Sequence, residues 1–142
     1  MASTSATPVI PSDASASSWC AAIPRRENAA FERVRVPGDW HTAYRVEPGV
    51  IAIVEAKQFQ EAISYLVIGT ERALLFDSGI GLVPLKPVID ALITLPVMVL
   101  NSHTHFDHVG GNNEFRDVVG TDTPFSRVNE RGRPHAASAV AR

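Results

Sequence analysis

A chain of 142 residues, 45% of them hydrophobic and 20% charged, is long enough for one buried core and too short for two full domains. Its net charge of −2 supplies no basic field, and Lys and Arg nowhere interleave with aromatics, so nucleic acid is not an expected partner. Cys20 is the single cysteine, which excludes an internal disulfide and a thiolate zinc ribbon.

Residues 1–30 are rich in Ser, Ala and Thr and poor in bulky side chains, a composition that buries too little surface to offset ordering. They are expected to form a disordered leader. This stretch lacks the early positive charge and long apolar core of a signal peptide, and no apolar run anywhere approaches the roughly 20 residues of a membrane span. A cytoplasmic protein that does not engage membranes is the expectation.

Folded structure is expected from Phe31, where "FERVRV" alternates apolar and charged residues at the period of a half-buried strand. "AYRV" and "VIAIVEA" continue as strands, with Glu47-Pro48-Gly49 as the turn between them. "ISYLVIG" and "RALLFD" read as a hairpin joined through Gly69-Thr70-Glu71. The period then changes. Leu85, Val88 or Ile89, Leu92 and Ile93 recur at helical spacing, with Lys86 and Asp90 on the opposite side, Pro84 and Pro87 at the first turn, and Pro96 as the stop. "VMVLNS" is a further apolar strand, "GGNNEF" a helix start and "DVVG" a last strand. The tail, residues 127–142, has no periodicity of a core element.

The apolar strand leads straight into "HTHFDHVGG", which gathers three of the five histidines and an aspartate into six positions. At the end of an extended strand, the two-residue spacing of His103 and His105 puts both imidazoles on one side. Asp107 and His108 fall where the chain turns and can supply a carboxylate and a further imidazole to a neighbouring locus. Imidazole and carboxylate without thiolate suit zinc first, then manganese or iron(II). A zinc ion with an open position lowers the pKa of its water, and two such ions can share a hydroxide, so hydrolysis is the natural outcome. Asp107 could also orient the attacking water or receive its proton. The pattern H-x-H-x-D-H would arise in about 3 of 10,000 shuffled versions of this chain, too rarely for chance surface histidines to be the better account.

"HTHFDH" followed by Val109-Gly110-Gly111, preceded by the "LLFDSG" and "LPVMVLNS" strands, resembles the metallo-β-lactamase superfamily from about Phe31 to Phe125. The resemblance implies an α/β (α+β) chain with the αββα sandwich fold of that family. It implies that His103 and His105 bind a first metal and Asp107 and His108 a second, with two zinc ions in a complete site. Asp77 matches the family's acidic residue at the end of an earlier strand, where it would support the metal site without touching metal. Gly110 and Gly111 match the turn into the next helix.

Family members complete their sites with a further histidine, a bridging acid and a last histidine, all downstream in a domain roughly twice this length. Here only His135 follows the motif, in an Ala-rich tail, and it reads as a surface residue. The expectation is therefore the first αβ half of the sandwich over residues 31–126, from a truncated or frame-shifted sequence, or a half that self-associates to cover its exposed sheet face. The expected function is a metal-dependent hydrolase acting on a small-molecule ester, thioester, amide, lactam or phosphoester, only weakly active as an isolated chain. The alternatives are an iron-dependent thiol dioxygenase on the same fold and a half-domain that binds metal without catalysis. Trp40 and His41 read as packing, Phe59 as a loop residue where relatives carry a flap, and Asn112 and Asn113 as turn residues.

Overall fold

The computed structural model describes residues 25–58 and 60–132. Cys20, Phe59 and His135, most of the expected leader, and residues 133–142 lie outside them. The described residues form a seven-stranded mixed sheet whose strands lie side by side in chain order. β1 (Glu32–Val34), β2 (His41–Glu47), β3 (Val50–Glu55), β4 (Ile63–Ile68) and β5 (Ala73–Phe76) make an antiparallel meander. β6 (Val97–Leu100) and β7 (Asp117–Val119) add to it in parallel.

Parallel neighbours cannot be joined by a tight turn, and each parallel step here carries helix in its connection. α1 (Lys86–Leu92) links β5 to β6. α2 (Phe106–Val109) and a 3-10 turn at Asn112–Glu114 link β6 to β7. A short helix α3 (Pro124–Asn129) follows.

Strand alternation decides which side chains enter the core. In β4, Ser64 and Leu66 are buried while Ile63, Tyr65 and Val67 face out. Registered neighbours extend the inner face through Ala43, Ile51, Ile53, Leu66, Leu75 and Val99. α1 covers that face with Val88 and Ile89, and Leu85 precedes it. The expected amphipathic stripe is thus observed, with Lys86 and Asp90 paired on its outer side. The opposite face is exposed at Ile63, Tyr65 and Val67 of β4, whereas Tyr44, Ala52 and Val54 on the same face of β2 and β3 are buried.

Four local expectations need correction. β1 is shorter than "FERVRV", because register with β2 runs only from Glu32 to Val34. A 3-10 turn at Arg26–Ala30 occupies the end of the expected leader, and Arg25 pairs with the nearly buried Glu61 at 2.6 Å, so tertiary contact reaches residues whose composition gave no sign of it. The helix expected from the glycines begins earlier, at Phe106, leaving only the 3-10 turn at Asn112–Glu114. Residues expected to open an irregular tail instead belong to α3, whose first turn is capped by Thr123 through the amide of Ser126 at 3.1 Å.

Ile89 is fully buried between α1 and the sheet, whereas Val67 is exposed on the other face. Ile89→Ala should therefore cost about 2–5 kcal/mol in urea unfolding, and Val67→Thr less than about 1 kcal/mol. Equal losses at both positions would contradict this division into inner and outer faces.

Candidate metal centre

β2 begins, β3 ends, and β5 and β6 end at the same edge of the sheet. Asp77, Asn101 and the histidine motif follow the ends of β5 and β6 at this edge, where Glu55 ends β3 and His41 begins β2. After β5, Asp77 takes φ +60, a left-handed conformation that few residues other than glycine adopt without strain. Its carboxylate is well anchored there: Oδ1 accepts the Ser102 amide at 2.8 Å, and Oδ2 accepts the Ser102 hydroxyl at 2.8 Å. His108 Nδ1 lies 2.8 Å from the same Oδ2.

An ionised carboxylate can only accept, so the 2.8 Å contact assigns the Nδ1 proton to His108 and leaves its Nε2 with a free lone pair. Ser102 Oγ spends its one proton on Asp77 and lies 3.0 Å from His103 Nδ1. His103 Nδ1 then donates to Ser102, and Nε2 is left free on this ring too. The three imidazoles are close together: ring centroids of His103 and His105 are 4.7 Å apart, and those of His103 and His108 are 4.0 Å apart. Asp107 Oδ2 stands 3.6 Å from His108 Nε2 and accepts the Gln60 amide at 3.3 Å.

All four residues singled out in the motif, with Asp77, are therefore gathered at one place. Among the described residues, no three His, Cys, Asp or Glu side chains already surround a common point as metal ligands would. The donor chemistry nevertheless fits a divalent transition ion, with two imidazoles presenting Nε2 because their Nδ1 atoms are tied behind them, and a carboxylate beside one of them. His103 and His105 are exposed and have room to reorient.

The loop that carries Asp77 is held against the motif backbone to backbone. Ser78 N donates to His108 O at 2.9 Å, and Gly110 N donates to Gly79 O at 2.8 Å. A Cβ at Gly110 would overlap the Ile80 carbonyl, and one at Gly111 would come within 2.7 Å of Ser78 O. Gly110 has an ordinary helical φ of −57°. The expected turn at these glycines is present, leading into the 3-10 turn at Asn112–Glu114, and the absence of a Cβ also permits this close backbone approach.

Three clamps were not visible in the sequence. Glu55, at the end of β3, is buried and accepts the Ile80 amide at 2.8 Å and the Trp40 indole N–H at 3.2 Å. Burial raises its carboxyl above the usual range, and the two donors oppose that rise. Asn112 is buried, accepts from Ser78 Oγ at 2.7 Å, and donates to Asn101 Oδ1 at 2.7 Å. Asn101 in turn donates to His108 O at 3.1 Å. Glu114 accepts the amides of Leu85 and Lys86 at 3.0 and 2.9 Å, filling orphan donors at the start of α1. Each partner lies too far along the chain for local pattern to reveal.

Trp40 thus does more than pack, since its N–H anchors Glu55. His41 is buried, as a packing residue should be, and burial pushes its imidazole from 6.5 down to about 4. Between those values the unfolded chain takes up a proton that the folded chain refuses, so stability should fall as pH drops through this window. His41→Phe should flatten that slope in urea unfolding from pH 7 to pH 4.5. A slope as steep as that of the parent chain would refute the assignment. For Asp77→Asn, imidazole 15N spectra of the metal-free chain should show His108 moving away from the Nδ1–H tautomer. Retention of that tautomer would mean the carboxylate does not set it.

A family model described as the metallo-beta-lactamase superfamily matches residues 62–123, which include Asp77 and the whole histidine motif. The acyl-coenzyme A thioesterase MBLAC2 of Gallus gallus is 34% identical over 64 residues, covering 39% of this chain and 23% of that protein. Among solved structures, a metallo-beta-lactamase from Erythrobacter litoralis, crystallised with beta mercaptoethanol in its active site, aligns at TM-score 0.50 and 14% identity, over 74% of this chain and 52% of that one. A metallo-beta-lactamase from Pontibacter korlensis aligns at TM-score 0.49 and 20% identity, over 68% and 51% of the two chains. The chain thus spans about a quarter of the curated relative and about half of each solved structure. The segment that carries both Asp77 and the motif is thus similar to the metallo-beta-lactamase superfamily.

Proposed function

We propose that the rim is the site of a metal-dependent hydrolase, with zinc as the metal and an acyl thioester or ester as the substrate class. The observation that carries this reading is the pair of imidazoles, His103 and His108, whose Nδ1 atoms are engaged by Ser102 and Asp77 while both Nε2 atoms remain free. His103 and His105 would hold a first ion, and Asp107 and His108 a second. Bound zinc supplies Lewis acidity to the scissile carbonyl and makes water at the site more acidic.

Asp107 is half-buried, with its Oδ2 engaged only weakly by Gln60 at 3.3 Å, which supports a second role in orienting water and receiving its proton. Asp77 and Ser102 work from behind: they keep the Nδ1 protons in place and so fix which nitrogen each ring presents. The thioesterase activity named for the Gallus gallus relative supports the thioester as first choice of substrate.

Zinc content per chain, measured after loading and desalting, should fall in His103→Ala and His108→Ala. Hydrolysis of an acyl thioester, followed through the released thiol, should fall about 100-fold or more in His103→Ala and Asp107→Ala. A chain that holds zinc but cleaves neither thioesters nor simple esters would overturn the hydrolase reading, and iron with oxygen uptake on a persulfide would replace it.

A further inference from the structure

Away from the histidines, the same rim holds a cleft of about 340 Å³ where β1 ends and β2 begins. It is lined by Arg33, Arg35, Gly38, Asp39, His41 and Thr42, among others. Neither Arg33 nor Arg35 has a carboxylate partner among the described residues, whereas Arg25, Arg45 and Arg127 each do. Asp39 is the one acid in the lining, and its charge is taken by Lys57. The cleft is therefore electropositive in a chain whose net charge is −2.

His41 adds a second, independent observation. It is 5% exposed, lines the cleft, and forms no side-chain hydrogen bond with any described residue. Its ring nitrogens are not among the enclosed atoms left without a partner, so they are reached from the cleft and can hydrogen-bond a ligand there. Two guanidinium forks and an imidazole are donors of the kind that gather around phosphate oxygens.

From this arrangement we infer that the cleft binds a phosphate group at the far end of an extended substrate whose reactive bond lies at the histidines. His41 on β2 is three strands from Asp77 at the end of β5 and four from the motif that follows β6. At about 4.8 Å per strand, the two places are roughly 15–20 Å apart along the rim. The substrate class is then an acyl thioester or ester whose leaving group is long and ends in phosphate. This rests on the hydrolase reading for the reactive end, while binding at the cleft does not.

Inorganic pyrophosphate, titrated into the metal-free 142-residue chain in the presence of a chelator, tests the cleft apart from any catalysis. Saturable amide shifts should appear at residues 33–42, and Arg33→Ala and Arg35→Ala should each weaken binding about tenfold, with Arg→Lys at either position recovering only part. Shifts confined to residues 103–108, no saturable binding, or unchanged affinity in both alanine variants would overturn the proposal and leave these arginines as ordinary solvated charges of an edge strand. Succinate binding as tightly as pyrophosphate would overturn the assignment to phosphate. With the zinc-loaded chain, Arg35→Ala should raise KM for a phosphorylated thioester about tenfold with kcat unchanged, and leave an unphosphorylated one unaffected. Pyrophosphate bound at the cleft of a chain that hydrolyses nothing would bring down the hydrolase reading while supporting the phosphate site.

Discussion

The carboxylate of Asp77 takes a backbone amide, a hydroxyl and an imidazole on its two oxygens, and to do so its residue adopts a left-handed backbone. Strain of this kind, on the order of 1–3 kcal/mol, persists only where the surroundings over-determine it. Here they do. The two chain segments on either side of the carboxylate leave the sheet from neighbouring parallel strands, and they are bonded to each other through Ser78, Gly79, His108 and Gly110. Neither segment has regular structure over much of its length, yet each fixes the other. Orientation of His103 and His108 follows from this single contact.

Around it stand polar clamps that reach across long sequence separations. Glu55 holds the loop from the β3 side, the Asn112 and Asn101 amides hold the motif from beneath, and Glu114 ties the segment after the motif to the start of α1. A buried hydrogen bond contributes only about 1 kcal/mol net, but leaving its partner unsatisfied costs about 1–3 kcal/mol. Such groups therefore act less as glue than as a penalty on every other arrangement. They confer on irregular loops a definition that apolar packing gives to the strands.

This difference explains what could be read in the sequence. Period-two alternation in "ISYLVIG" and the helical recurrence of Leu85, Val88 and Ile89 report a buried face directly, because burial selects residue type position by position. The motif was legible for another reason: its chemistry is compressed into six residues. Glu55 and Glu114 left no such mark, since a carboxylate at the end of a strand or turn looks the same whether it meets solvent or an amide 25 or more residues away. The turn at Gly110 is legible in the sequence, but its close contact with the Ile80 backbone is not, because the sequence does not show which backbone will lie against it. The short turn at Arg26–Ala30 and helix α3 escaped notice because one to two turns carry too few residues to establish a period.

The strand order carries a consequence for how the molecule is assembled. Strands β1 to β4 pair with their immediate successors through short reversals, whereas the last two pairings must close over residues 77–96 and 101–116. Closing longer loops forfeits more chain entropy before any contact repays it, so the meander has the kinetic advantage. The acidic and imidazole side chains of the rim come together only with those late closures. A chain arrested just before them would already have most of its strand content, and a far-ultraviolet spectrum to match, without yet having brought the histidine motif to Asp77.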